Sequence, residues 1–475
     1  METGCNYSDS ELLTIHEASL EILKRVGVQV DSPQALEILS GAGVRVNPQT
    51  RRVHPEAQHI EKALASVPRC MTVYGRNAEH DRPVIMSGRH VNLMAGGGAL
   101  RVLDLDGNYV AATWEHLRQF NILLDALPNI HMCVNQVDPV DQTGANFYCR
   151  LAAEMLIHCA KPIYMQLATS DDVRAMIEMG AVVRGSHDAH VARPLFLFAF
   201  NATPPLRISQ NIADAFIAAC AAGLPVSMGS YSLMGVTAPR TVAGAAVELE
   251  AVQMVSIVLA QAVRPGAPIC YTAFSGSADL HTLGECTATP HATQLVRLTT
   301  QMGRFHGLPV YGVAESDARE PDAQLASERV LQLQTAIEAG GHLMQGPAWA
   351  DHMMLSSFAL AVLDNDIIGL VLESNRRPPI NAETLALEVI EEVATDSEYA
   401  QLRYASHEHT VRHLREGVWE PMTFDYGSFE NWCKAGKPSV GARANAKARE
   451  ILATHRPEPL ASDKADVIRR IGCSA

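Results

Sequence analysis

The chain has no C-x-x-C pair: its ten cysteines are scattered along 475 residues, which excludes a zinc-ribbon pattern and offers no disulfide framework. Most of them read as small core residues. No run approaches the roughly 18 uninterrupted apolar residues of a membrane helix. The start, METGCNYSDSELL, also lacks the basic-then-apolar layout of a signal peptide. A cytoplasmic protein with no membrane partner is expected. Positive charge is short, with 38 Lys and Arg against 52 Asp and Glu, and the resulting net charge of −14 repels phosphodiester backbones. Nucleic acid is therefore not expected as a partner. Three nucleotide and nucleophile signatures are missing as well. No G-x-G-x-x-G follows the first strand-like run, no G-x-S-x-G elbow is present, and Gly96 to Ala99 lacks the Gly-Lys-Ser/Thr ending of a phosphate loop. Those glycines read instead as a tight turn or a close backbone approach, ahead of a hairpin turning at Asp106-Gly107.

What is present is an ordinary globular composition, 47% apolar and 19% charged, in a chain long enough for a large barrel or for two or three domains. Apolar spacing predicts helices over 8–26, 31–41 and 58–66, so residues 1–85 read as a helical extension. From about residue 130, apolar and β-branched runs begin at His131, Pro162, Leu195, Pro225, Pro268, Pro309 and His342, between 30 and 43 residues apart. That interval holds a strand, a helix of three or four turns and two loops, the βα unit of a parallel sheet. One further strand, either Ile367–Leu372 or the stretch Val91–Ala95, would close a (β/α)8 TIM barrel over 86–375. The remaining 376–475 read as C-terminal helices packing on the barrel, one with an acidic outer face and one at 440–455.

In such a barrel the loops after the strands form the active face. That filter selects Tyr231 to Pro239, Phe274 to Asp279, Glu315 to Arg319 and Gly346 to His352. Arg319 can fork onto a carboxylate, or pair with its acidic neighbours Glu315, Asp317, Glu320 and Asp322 as a structural bridge. Trp349, Asp351 and His352 bring a ring, a carboxylate and an imidazole to the same face, suited to a cation. His407, His409 and His413 are dense enough to suggest a metal, but 407 and 409 do not face each other on a helix, and no metal ligand set is expected. The residues alone reach a barrel enzyme for a small zwitterionic or cationic substrate.

The ordered segments GGGALRVLDLDGN (96–108), DALPNI (125–130), TPPLRIS (203–209), GVTAPRTVAGA (235–245), VLAQAVRPGAPICY (258–271), GLPVYGVAESDAREPDAQ (307–324), DNDIIG (364–369) and HEHTVRHLRE (407–416) resemble the trimethylamine methyltransferase superfamily over nearly the whole chain. In its trimethylamine branch, pyrrolysine occupies the loop matching about 346–353. Here that loop reads GPAWADHM, so the resemblance is to the non-pyrrolysine members, such as glycine betaine:corrinoid methyltransferases. It implies a barrel that passes a methyl group from a quaternary amine to cob(I)alamin on a separate corrinoid protein. The barrel itself would keep no permanent cofactor and, working by positioning, no general acid or base. Arg319 and His352 would hold the betaine carboxylate. Trp349, Tyr231, Phe274 and Asp351 would face the trimethylammonium, and the protein would be a homo-oligomer. Relatives often carry Asn-Ala-Glu where this chain has Glu250, Ala251 and Val252, and Pro-Glu at Pro290 and His291, departures expected near the active site. The alternatives are the same chemistry on proline betaine, carnitine, γ-butyrobetaine or dimethylsulfoniopropionate, a binding-only relative, and a zinc-dependent barrel methyltransferase.

Overall fold

The computed structural model describes residues 6–76, 83–142, 144, 146–395, 403–416 and 418–474. The apolar runs read from the sequence form seven parallel strands: β1 Asn92–Met94, β2 Ile163–Gln166, β3 Phe196–Ala202, β4 Val226–Ser230, β5 Ile269–Ala273, β6 Val310–Val313 and β7 Leu343–Gln345. They lie side by side in the order β1-β7-β6-β5-β4-β3-β2. The 131–134 segment fills the remaining gap. Parallel bridges Met94↔Met132 and Cys133↔Ile163 join it to β1 on one side and β2 on the other, so the ring closes as a (β/α)8 barrel. Of the two candidates for the missing strand, 91–95 is the right one. Ile367–Leu372 lies instead within a helix, because twelve of the seventeen residues of Phe358–Ser374 are buried, more than one strand face can supply.

Eight helices follow the staves in turn: α1 Trp114–Ala126, α2 Phe147–His158, α3 Ser170–Arg184, α4 Gln210–Ala222, α5 Val242–Val263, α6 Pro290–Phe305, α7 Ala323–Glu338 and α8 Phe358–Ser374. Local chemistry sets their ends. Thr169, Thr241, Thr289 and Ser357 each accept a backbone N–H at a helix start, and Gly185 and Gly223 take left-handed φ at the ends of α3 and α4.

Most barrel helices show one apolar stripe, but α5 and α8 are apolar nearly all round. The flanking regions explain both. Helices Asp9–Arg25, Pro33–Gly41 and Ala57–Ser66 pack on the outer side of α5, and Val440–Thr454 packs on α8, so neither helix keeps a wet face. By length and composition α5 is the one helix among the described residues that passes as a membrane span, and 72% of that window is buried within the protein. The N-terminal region also contains strands. Val28–Val30 pairs with Arg52–His54 and, in parallel, with Arg207–Ile208 beyond β3, tying the extension to the barrel.

One cysteine reading changes. Cys133 and Cys159 form a disulfide, while Cys149, Cys220 and Cys270 are free buried thiols. Cys133 sits in the closing segment and Cys159 caps α2 just before β2, a proximity made by strand pairing that spacing alone does not reveal.

Candidate active site

The carboxyl ends of β5, β6 and β7 carry most of the polar chemistry at the barrel mouth. Along β6, Tyr311 and Val313 alternate with Gly312, and Glu315 continues the same face one step beyond the strand. Tyr311 points into the barrel, where its hydroxyl donates to the Gln345 Oε1 of β7 and lies 3.3 Å from the Tyr164 hydroxyl of β2. From Tyr164 the rings run outward: Tyr164 to Tyr311 at 5.5 Å, Tyr311 to Phe274 at 6.3 Å, Phe274 to Tyr231 at 4.5 Å between centroids. Phe274 and Tyr231 form a small apolar cluster with Val296, Val313 and Met353.

Past the end of β6 stands Glu315, 1% exposed, and neither of its carboxylate oxygens accepts a hydrogen bond from the described residues. The nearby Thr287 hydroxyl donates to Asp317 instead, at 2.8 Å. Burial first, and then the charges of Glu285 and Asp317, push the Glu315 carboxyl well above its usual range. Glu285 is pushed up to about 7 by burial and by Asp317. Glu248, beside Ser232 after β4, is raised to about 7 by burial. Raised carboxyl groups at a mouth that also carries aromatic rings can seat a positive charge that brings no hydrogen bonds of its own.

A second, better-ordered group sits at the rim. Asp317 accepts from the N–H of Thr287 at 2.9 Å and of Ala288 at 3.0 Å, and His352 Nδ1 lies 3.1 Å from its Oδ1. With His352 donating through Nδ1, its Nε2 is free to accept from Arg319 Nη2 at 3.2 Å. Arg319 is 63% exposed in its side chain, with three of its five N–H bonds outside the contacts to His352 and Asp351. A fork of donors is thereby presented at the mouth on a base of fixed imidazole and carboxylate.

The loop 346–353 that carries His352 is strained. Ala348, Asp351, His352 and Met353 all take left-handed φ, between 49° and 67°. Its stability comes from beneath. Arg329, with no solvent exposure, bonds Asp364 at 3.0 Å and donates to the carbonyls of Ala314 and Trp349, while Asp364 accepts the Ala348 N–H at 2.6 Å. Gly96 completes the seat. Its N–H reaches the Pro347 carbonyl at 2.7 Å, and the Trp349 indole covers its face where a Cβ would stand. The glycine run is thus the close backbone approach expected of it.

Of the six residues singled out from the sequence, Arg319, His352 and Asp351 come together, as do Tyr231 and Phe274. Asp351 is placed differently from its expected part beside the cation: its Oδ1 lies 3.4 Å from Arg319 Nε at the rim. Trp349 is 4% exposed and packed into the main core, its N–H without an acceptor. Glu250 and Val252, expected near the active site, lie mid-way along α5 under the N-terminal helix, and His291 is exposed at the start of α6. Sequence reasoning placed Glu315 at the active face only as an acidic neighbour of Arg319, and passed over Glu285, Tyr311 and the Arg329–Asp364 pair. Two signals were available: Glu315 continues the inward alternation of β6, and Arg329 occupies the apolar stripe between Leu325 and Leu333.

The trimethylamine methyltransferase (MTTB) family matches this chain over residues 5–470. Among curated relatives, the trimethylamine methyltransferase MttB of Desulfitobacterium hafniense (strain DSM 10664 / DCB-2) is 27% identical over 467 residues, covering 98% of this chain and 92% of its own. The glycine betaine methyltransferase of Desulfitobacterium hafniense (strain Y51) is 24% identical over 456 residues, covering 95% and 93%. The crystal structure of the Methanosarcina barkeri monomethylamine methyltransferase (MtmB) superposes with a TM-score of 0.47 at 11% identity, covering 91% of this chain and 96% of that one.

Proposed function

The chain belongs to the trimethylamine methyltransferase family and is a methyltransferase, and from that premise we propose that it takes its methyl group from a quaternary ammonium compound, first of all glycine betaine. The observation that carries this reading is Glu315, a buried carboxyl that accepts no hydrogen bond from the described residues and is crowded by Glu285 and Asp317, at a mouth that also carries the rings of Tyr311, Phe274 and Tyr231. A protonated amine would bring N–H donors and need acceptors aligned to each. A quaternary nitrogen needs only diffuse negative charge and ring faces. The ordinary residues of the 346–353 loop agree with this choice. A quaternary nitrogen leaves as a neutral amine, so it needs no covalent activation before its methyl is displaced.

Arg319 would take the carboxylate end of a betaine through its remaining N–H donors, and His352 would join it through an Nε2–H once its ring carries both protons. Displacing the Arg319–His352 contact would leave His352 bound to Asp317 and keep the anchor oriented. The carboxylate at the rim and the cation against Glu315 fix the zwitterion along the barrel axis. Methyl transfer then asks of this chain orientation and exclusion of water rather than proton transfer. The acceptor is a corrinoid on a separate protein, which supplies a cobalt nucleophile, and the barrel keeps no resident cofactor. Apolar residues left exposed on the C-terminal segment, among them Ile380, Leu387, Leu414 and Phe429, agree with a homo-oligomer.

The test is a panel of onium compounds incubated with the protein and a reduced corrinoid partner, following cobalt absorbance. Methylation from glycine betaine, weakened by Arg319→Ala, supports the reading. A response only to a longer zwitterion such as carnitine keeps the cation seat and moves the substrate. Binding without transfer to a corrinoid protein of proven activity points to a member that holds onium compounds without demethylating them.

A further inference from the structure

Away from the mouth, on the helix side of the sheet, three residues remote in sequence converge. Glu250 lies half-way along α5 with no solvent exposure, His16 comes from the N-terminal helix Asp9–Arg25, and His306 follows α6. His16 Nδ1 is 3.1 Å and His306 Nε2 2.7 Å from the same oxygen, Glu250 Oε1. The three ligand atoms all lie within 4.8 Å of one another, and the two imidazoles meet edge to face at 4.9 Å between centroids. The other oxygen, Oε2, accepts from the buried Tyr271 hydroxyl at 2.6 Å.

We propose that His16, Glu250 and His306 form a binding site for a divalent transition metal of the zinc class, which clamps the N-terminal helix to the outside of the barrel. Two imidazoles and one carboxylate are a donor set that zinc takes in sites with three protein ligands. Bond lengths of about 2.0–2.2 Å place tetrahedral ligand atoms about 3.3 Å apart, so each imidazole nitrogen, now 3.1 or 2.7 Å from Glu250 Oε1, needs to move from it by only tenths of an ångström. Tyr271 supplies the outer hydrogen bond that fixes a ligating carboxylate in one orientation. The side chain of His16 keeps 14% exposure, which gives an ion and a fourth ligand, water, a way in. The sequence offered no hint of this set, since its members stand 234 and 56 residues apart. The two imidazoles are each brought to Glu250 by a separate packing of helices against α5.

The proposal is independent of the methyl donor, because the site lies in the helix layer and its readout is not activity. Full-length protein purified without added metal would be assayed for metal content, then stripped with a chelator and titrated with Zn²⁺ and with Co²⁺. The expected result is one equivalent per chain, a tetrahedral Co²⁺ absorption spectrum, and a melting temperature that falls on stripping and recovers with Zn²⁺. His16→Ala changes a partly exposed residue and leaves the barrel intact; it is expected to weaken Zn²⁺ binding at least a hundredfold. The exposed group Glu383, His409 and His413 is a second place where an ion can settle, and His413→Ala is the control for it. Stoichiometric metal that survives His16→Ala but is lost in His413→Ala overturns the assignment. So does native protein whose melting temperature ignores Zn²⁺, which would leave the three residues as a hydrogen-bonded group only.

Discussion

Glu250 and Glu315 are both sealed from water, on opposite sides of the same barrel wall, and their surroundings treat them in opposite ways. Burial alone would raise both. At Glu250, hydrogen bonds from His16, His306 and Tyr271 overcome it and bring the carboxyl down to about 2. At Glu315 no hydrogen bond from the described residues is made, and burial with the charges of Glu285 and Asp317 outweighs the nearby Thr287 and Arg329, so the carboxyl is pushed well up. A carboxylate met by three donors holds helices together. One with none is kept at a cost that folding does not recover, and such a cost is expected where a ligand supplies the missing partner.

Removing each charge in turn separates the two roles most strongly. Glu250→Ala strands the groups gathered on it and is expected to lower stability by about 3–5 kcal/mol, read by chemical denaturation. Glu315→Gln, by contrast, is expected to leave stability unchanged or raised while abolishing onium binding. Equal losses in the two variants would erase the distinction. Arg319→Ala comes next. Losing a charged hydrogen bond costs about 1.5–3 kcal/mol, so KM for a betaine should rise about tenfold to hundredfold. The melting temperature should hold, and an onium compound without a carboxylate should bind as before. Gly96→Ala forces a Cβ into the Trp349 ring and is expected to cost about 1–3 kcal/mol with disturbance of the 346–353 loop, visible as altered tryptophan fluorescence.

The smallest effect is in pH. Glu285, at about 7 in the folded chain against 4.5 unperturbed, holds a proton that the unfolded chain has released between those values. Native protein binds more protons in that window, so this group's contribution to stability falls as pH rises from 4.5 through 7. Glu285→Gln should flatten that part of the melting profile. A bound cation favours the ionised form, so affinity should climb up to about tenfold per pH unit below 7 and level off above it. Calorimetry in buffers of different ionisation heat would register the released proton.

The barrel was legible because βα spacing repeats and the strands are continuously apolar, and because both chain ends carry helical periodicity. The closing segment was harder, since it joins the ring by single bridges rather than a regular ladder. At the site, Arg319, His352 and the Tyr231–Phe274 pair could be found because they sit just past strand ends, where a simple rule looks for them. Asp351 lies against Arg319 because left-handed backbone at 351–353 turns it that way, and no spacing argument foresees such a turn. Glu285 comes from a short strand, Glu285–Cys286, with no periodicity to mark it. The Arg329–Asp364 pair joins α7 to α8, and only the packed structure brings those two helices to one loop.

The most direct test sets Glu315→Gln beside the unaltered protein in methyl transfer from the onium panel to a reduced corrinoid protein. The unaltered chain is expected to methylate cobalt from at least one quaternary ammonium compound, and the variant, equally stable, to be slower by a hundredfold or more. Methyl transfer by the variant at the unaltered rate would mean that the unpaired carboxyl has no part in holding the cation.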